Sequence, residues 1–230
     1  MLKVKHLGST ALLVEFRQNI DLKINKKVYY LDHLIQSKNL EGIIYTIPAF
    51  CSLTVGYDPG KISYFVLSEF IKALAKENLD EDKNFNIDGN THIIPVCYDE
   101  RFATDIEVVM KQTGLGSKEI IELHISKEYT VLMTGFLPGF VYLGKVPSRL
   151  HCRRKLSPEL KVAAGSVGLA GSQTGIYPFE SPGGWQIIGR TPVKTLELSE
   201  GNNFLFKGGD KVKFKPISFE SFEQMKIANR

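Results

Sequence analysis

TGFLPGFVYLG (Thr134–Gly144), AAGSVGLAGSQTGIYP (Ala163–Pro178) and SPGGWQIIGRTP (Ser181–Pro192) hold half of the chain's 20 glycines and its one tryptophan, Trp185. The glycines alternate with apolar and small hydroxyl residues. Fixing glycine costs backbone entropy, so a chain that concentrates it needs positive φ angles or a backbone left bare against a ligand. The surrounding runs VLMTGF, KVAAGSV, WQIIG, TLEL and KVKFKPI are short β-rich segments with Gly/Pro turns between them. Helix signals vanish beyond Tyr129 until the end of the chain. The pattern predicts a compact, mainly β barrel or sandwich.

Upstream of this stretch, two short helices are predicted, Ala103–Thr113 stopped by Gly114 and Ser117–His124 opened by Ser117. The first hundred residues alternate differently. Ala11–Phe16 reads as a strand. Ile24, Val28, Leu31 and Ile35 mark one helix face. Gly42–Phe50 and Cys51–Tyr57 read as a hairpin. Asp58-Pro59 predicts a helix start, with Ile62, Phe65, Val66, Phe70, Ile71 and Leu74 on its apolar side. Thr91–Tyr98 is a further strand. The order β-β-α-β-β-α-β predicts a ferredoxin-like α+β layer over residues 1–84, followed by the β domain over 85–230. Glu77–Asn90, polar and punctuated by Gly and Asn, is the expected linker.

The bulk numbers fit a globular protein of one large or two small domains. The chain has 230 residues, 43% apolar and 23% charged, with a net charge of +4. That charge permits a local anion site but supplies no concentrated basic face for nucleic acid. Cys51, Cys97 and Cys152 are scattered and odd in number, which predicts reduced thiols. The N-terminal MLKVKHLGSTALLVEF lacks the apolar core and cleavage site of a signal peptide, and no run is long enough to span a membrane. A cytoplasmic protein is expected.

The basic segment Lys145–Lys161 carries Lys145, Arg149, His151, Arg153, Arg154, Lys155 and Lys161. Guanidinium groups beside Gly-rich backbone N–H groups suit a carboxylate or phosphate; a solvated loop is the alternative. Ser166 sits in Ala164-Gly165-Ser166-Val167-Gly168, similar to a nucleophile elbow. The elbow needs a helix directly afterwards, which VGLAGSQTG cannot form, so Ser166 reads as a ligand-binding or turn-forming residue. Gln173, Thr174 and Tyr177 offer compact donors and acceptors for a small polar substrate. Trp185 covers such a pocket or packs in the core. His124 closes a helix, where the C-terminal dipole favours a cation, while His6, His33 and His92 read as ordinary edge or surface residues. There is no GxxxxGK[ST] loop, HExxH helix or paired-carboxylate motif, so no metal site and no nucleotide site of the chain's own is expected.

GFLPGFVYLG, AGSVGLAGSQTGIYP and SPGGWQIIGRTP, with PVCYDERFATDIEVVMKQTGL and IIELHISKEYTVLMTGF upstream, closely resemble the family of the 5-oxoprolinase B subunit (PxpB), also called the KipI or allophanate hydrolase subunit 1 family. The likeness is strong over about the last 130 residues. It implies a ferredoxin-like layer and a cyclophilin-like barrel. It also implies partnership with the KipA-like C component and with the A component of 5-oxoprolinase, in a complex that opens 5-oxoproline to glutamate using ATP and Mg, neither of them bound by this chain alone. One family member inhibits a sensor histidine kinase, which makes such a kinase the alternative partner. The implied site has His124 and Arg154 in catalytic roles, with Gly165, Ser166, Gln173, Thr174, Tyr177, Gly183, Gly184, Trp185 and Arg190 around the substrate. The chain departs from the family pattern in the basic segment. Arg154 keeps the family's first arginine, Glu159 replaces the second, and Arg153 and Ala163 replace two prolines.

Overall fold

A computed structural model describes residues 2–79, 89–197 and 203–228. The chain divides into two compact units, residues 1–88 and 89–230. The boundary expected at 84/85 and most of the expected linker lie outside the described residues.

The first unit contains β1 (Lys3–His6), β2 (Ala11–Glu15), α1 (Leu22–Ser37), β3 (Ile43–Pro48), β4 (Ser52–Tyr57) and α2 (Tyr64–Asn78). The strands form one antiparallel sheet in the order β1-β2-β4-β3. Leu12, Val14, Leu53 and Val55 meet Val28, Leu31 and Ile35 of α1 and Leu67 and Ile71 of α2 in one core. Asp21 caps α1 by accepting the N–H groups of Lys23 (2.7 Å) and Ile24 (3.3 Å). The start expected at Asp58-Pro59 is corrected. Asp58 instead takes the N–H of Gly60 in a tight turn, and Ser63 caps α2 through Val66 N–H. The buried face of α2 also differs from the expected one: it runs through Leu67, Ser68, Ile71, Leu74 and Ala75, while Phe65 and Val66 are exposed.

The second unit runs β5 (Thr91–Cys97), α3 (Ile106–Thr113), α4 (Ser117–Ile125), β6 (Tyr129–Thr134), β7 (Val141–Leu143), a single 3-10 turn at Ser148–Leu150, β8 (Glu159–Val162), β9 (Ser166–Ala170), β10 (Gln173–Ile176), β11 (Ser181–Gly183), β12 (Gln186–Arg190), β13 (Leu196–Glu197), β14 (Asn203–Phe204), β15 (Lys211–Ile217) and α5 (Phe219–Ala228). Seven strands close a barrel in the order β10-β7-β6-β15-β5-β12-β9. The mainly β barrel expected from the glycine-rich stretch is therefore present. Thr91–Cys97, read in sequence as continuing the first alternation, belongs to this barrel and pairs in parallel with β15 over its whole length. Its inward residues Ile94 and Val96 join Val212 and Phe214 of β15, Val131, Val167, Leu169 and Ile188 in the barrel core. Gly114, at φ +73°, ends α3 in the left-handed conformation that glycine adopts without a Cβ penalty.

Candidate functional site

Strand alternation sorts the glycine-rich stretch into an inner and an outer layer. On β9 and β10, Val167, Leu169 and Ile176 belong to the barrel core, whereas Ala170 and, just past β10, Tyr177 join Phe140, Val162, Trp185 and Ile187 in a second cluster. Trp185 makes edge contacts with Phe140 (5.4 Å between centroids) and Tyr142 (5.7 Å). It is 4% exposed, so of its two sequence readings the core one describes its position. Glycine makes the layer possible. At Gly175 an added Cβ would lie 2.7 Å from the Val141 carbonyl and 3.0 Å from the Trp185 ring. Gly165 turns at φ +78°, where a side chain would strike the Thr191 carbonyl.

His124 and Thr174 lie inside the barrel, both 0% exposed. Thr174 Oγ1 donates to the Gly168 carbonyl (3.0 Å), so its lone pair receives His124 Nε2–H (2.9 Å), and His124 Nδ1 receives the Tyr98 hydroxyl (2.8 Å). Tyr129 OH donates to the His124 carbonyl at 2.7 Å, and the imidazole stacks on Phe214 at 4.6 Å. Burial pushes the imidazole pKa down to about 3, and burial raises that of Tyr98 well above its ordinary value. His124 is therefore a neutral ε tautomer with both nitrogens engaged. It organises the barrel interior, and a proton-moving role would require the barrel to open.

Arg190 and Ser166 are opposite one another on β12 and β9 and border a cleft of about 140 Å³. Arg101, Phe102, Lys161 and Glu159 also line it. Arg190 Nε donates to the Ala164 carbonyl at 2.7 Å, and its guanidinium lies 5.6 Å and 6.0 Å from the Phe102 and Phe222 rings. Burial lowers its pKa, partly offset by the charge of Glu223. It has no ion-pair partner within 4 Å among the described residues. A desolvated cation without a matching anion is costly, and an anionic ligand relieves that cost. Arg101 differs. It forks onto Asp99 (2.6 and 2.8 Å), which holds that carboxyl down at about 2, and stacks on Phe219.

The basic segment fixes one wall. Lys155 Nζ bonds Asp105 (2.7 Å) and also Glu159, and its backbone N–H bonds the Gly184 carbonyl (2.8 Å). Burial opposes the lysine's charge, but the two carboxylates outweigh it and raise its pKa. Asp105 accepts Ile187 N–H at 2.7 Å, which ties the loop to β12. Arg154 is exposed, with its guanidinium 5.8 Å from the Trp185 centroid. Gln173 is buried in the β9–β10 hairpin. Gly183 sits against the Tyr177 hydroxyl, and burial raises that group's pKa to about 12.

The sequence-predicted residues thus fall into three places. His124 and Thr174 are interior. Gln173, Tyr177, Trp185, Gly183 and Gly184 belong to the outer layer, with Arg154 over it. Ser166 and Arg190 line the cleft, and Gly165 makes the turn beside Ser166, against the Thr191 backbone. Sequence reasoning missed Arg101, Phe102 and Asp105; the signal for them was the charged and aromatic run Asp99–Asp105 around the start of the helix predicted from Ala103, which the structure begins only at Ile106.

The family described as the carboxyltransferase domain, subdomain C and D, matches residues 2–206. A protein of Bacillus subtilis (strain 168), named as the B subunit of 5-oxoprolinase, is 37% identical over 97% of this chain and 96% of its own length. The crystal structure of the conserved uncharacterized protein PH0987 from Pyrococcus horikoshii covers 96% of this chain and 100% of that one at 40% identity, with a TM-score of 0.56. The K. lactis urea amidolyase superposes with a TM-score of 0.84 over 99% of this chain and 15% of that one; at 20% identity the likeness is one of fold. The chain belongs to the family of carboxyltransferase subdomains C and D, which includes the proteins named as 5-oxoprolinase B subunits. Among the described residues no helix is long and apolar enough to cross a membrane.

Proposed function

We propose that this chain is the B component of a cytoplasmic, ATP-dependent 5-oxoprolinase that opens 5-oxo-L-proline to L-glutamate together with the A and C components. The observation that carries the reading is the near end-to-end similarity to a protein of that name, 37% identical over 97% of the chain. The cleft supports it: its half-buried, unmatched Arg190 faces a space of about 140 Å³, a volume suited to a small organic anion. Arg190 and Ser166 hold the substrate's carboxylate end. The outer layer of Tyr177, Trp185 and the glycines keeps β9, β10 and β12 in register behind them. Arg154 faces the part of the site completed by a partner. ATP supplies the activation that a poorly electrophilic lactam carbonyl needs, with Mg accompanying it in the complex. This chain's own task is to bind and orient, with fixed donors stabilising the charge that develops on the lactam carbonyl oxygen.

Leu156 and Leu160 are almost fully exposed beside this wall, and Phe136, at φ +69°, is 62% exposed while its edge rests on Phe140. These apolar side chains are the surface for the KipA-like C component. In the first unit, the sheet order β1-β2-β4-β3 supports a ferredoxin-like layer whose last strand has moved to the front of the chain.

The test combines the chain with its cognate A and C components and follows glutamate release. Release dependent on both ATP and 5-oxoproline is expected. A folded, assembled complex without that release overturns the reading.

A further inference from the structure

Four cations and three carboxylates line the cleft or bond directly to its lining. Arg101 is matched by Asp99, while Lys155 is shared between Asp105 and Glu159. Arg190 and Lys161 complete the set; Arg190 is half-buried with no carboxylate in contact among the described residues, whereas Lys161 is largely exposed. Glu180 lies 3.9 Å from Lys161 with both side chains exposed, so solvent screens both charges strongly and Arg190 carries the cleft's effective positive charge. Glu223 acts on Arg190 only through space. The balance turns on one contact. Glu159 is about half exposed on β8 and lines the cleft, yet its carboxylate is engaged by Lys155, which Asp105 anchors from behind.

We infer that Lys155 sets the anion specificity of this cleft: by engaging Glu159 it keeps that carboxylate off Arg190 and leaves one partly buried, unmatched cation, which matches a small monocarboxylate and disfavours a tetrahedral dianion. Without Lys155, Glu159 is free to turn toward Arg190 and Lys161 and occupy the ligand's place. Without Glu159, the cleft gains one unit of positive charge beside Arg190 and accepts a dianion. The inference rests on the cleft being the ligand site proposed above. It concerns how that site selects charge, and it assigns Lys155 a positioning role at a distance from the ligand.

The test uses the full chain alone, with propionate and 5-oxoproline as monocarboxylate probes and sulfate as the dianion, titrated by NMR at constant ionic strength. The wild-type chain is expected to bind propionate about tenfold more tightly than sulfate, the order of effect of one unmatched charge in a partly desolvated site. Glu159→Gln is expected to shift that ratio about tenfold toward sulfate. Lys155→Met weakens both anions, and Lys155→Met with Glu159→Gln restores propionate to within about threefold of wild type. A merely structural lysine would not be rescued by removing its partner. An unchanged propionate-to-sulfate ratio in Glu159→Gln overturns the inference, as does a folded double variant that fails to recover. Glu159→Gln removes an exposed charge, so it decides the matter even where Lys155→Met does not fold. A chain that selects anions in this way but releases no glutamate with its A and C components keeps this inference and removes the 5-oxoprolinase reading. 5-Oxoproline turnover with an unchanged ratio does the reverse.

Discussion

His124 and Arg190 are both polar side chains set among aromatic rings, and both belong to the barrel unit. Around His124 every hydrogen bond closes: Tyr98 gives to it, it gives to Thr174, and Thr174 gives to the Gly168 carbonyl. Around Arg190 one donor is used on the Ala164 carbonyl, and the charge has no carboxylate in contact among the described residues. A satisfied buried network specifies a fold, because each member would be costly alone. An unsatisfied charge at a cleft reserves energy for something that arrives later. The difference separates residues that hold this barrel from residues that use it.

Breaking the closed centre should give the largest change in stability. His124→Ala leaves a cavity and strands Tyr98 and Thr174, for an expected loss of about 3–5 kcal/mol in urea unfolding. A loss near zero would mean the interior network is not structural. The same centre imposes a pH dependence. The folded imidazole titrates near 3 against 6.5 in the unfolded chain. Below pH 6.5 the unfolded chain therefore takes up a proton that the folded barrel refuses. Stability that is complete above pH 6.5 falls by about 1.4 kcal/mol per pH unit on the way down to roughly pH 3. His124→Gln should flatten that slope, which urea midpoints at pH 7 and pH 5 would show. Thr174→Val removes a single link of the chain and should cost about 1–3 kcal/mol.

The open centre should respond the other way. Arg190→Gln is expected to leave stability within about 1 kcal/mol while reducing reconstituted glutamate release about 100-fold, the size expected when a charged ligand loses its hydrogen-bonded partner. Comparable losses in stability and activity would erase the contrast. Leu156→Asp should change stability by less than about 0.5 kcal/mol. Its effect belongs to assembly, as a weaker association with the C component in sedimentation or calorimetry.

Local features were the legible part of this fold. Gly114 and Ser117 marked the end of α3 and the start of α4, because a left-handed stop and a polar start are written in one or two residues. The glycine-rich runs announced the barrel because close packing of Trp185 on Gly168 and Gly175 demands bare backbone. What escaped was long-range. Asp105 and Lys155 are far apart in sequence, and no periodicity joins them. Thr91–Cys97 reads as a strand wherever it goes; only its pairing with Lys211–Ile217 assigns it to the barrel. At Asp58-Pro59 the local cap signal was sound chemistry, but Gly60 captured the carboxylate in a turn and Ser63 took the helix. The candidate site was half visible for the same reason. Ser166 and Arg190 stand in the glycine motifs, while the carboxylates that set the cleft's charge come from elsewhere in the chain.

The parallel pairing of β5 with β15 has a consequence for biosynthesis. The first strand of the barrel unit waits for a late one, and seven residues along its edge stay unpaired until Ile217 has left the ribosome. Until then the nascent barrel is an open sheet with apolar residues on the exposed edge, the kind of species that chaperones recognise. Translation stalled before Lys211 would therefore leave a sticky, protease-sensitive chain, because the strand that covers β5 would be missing.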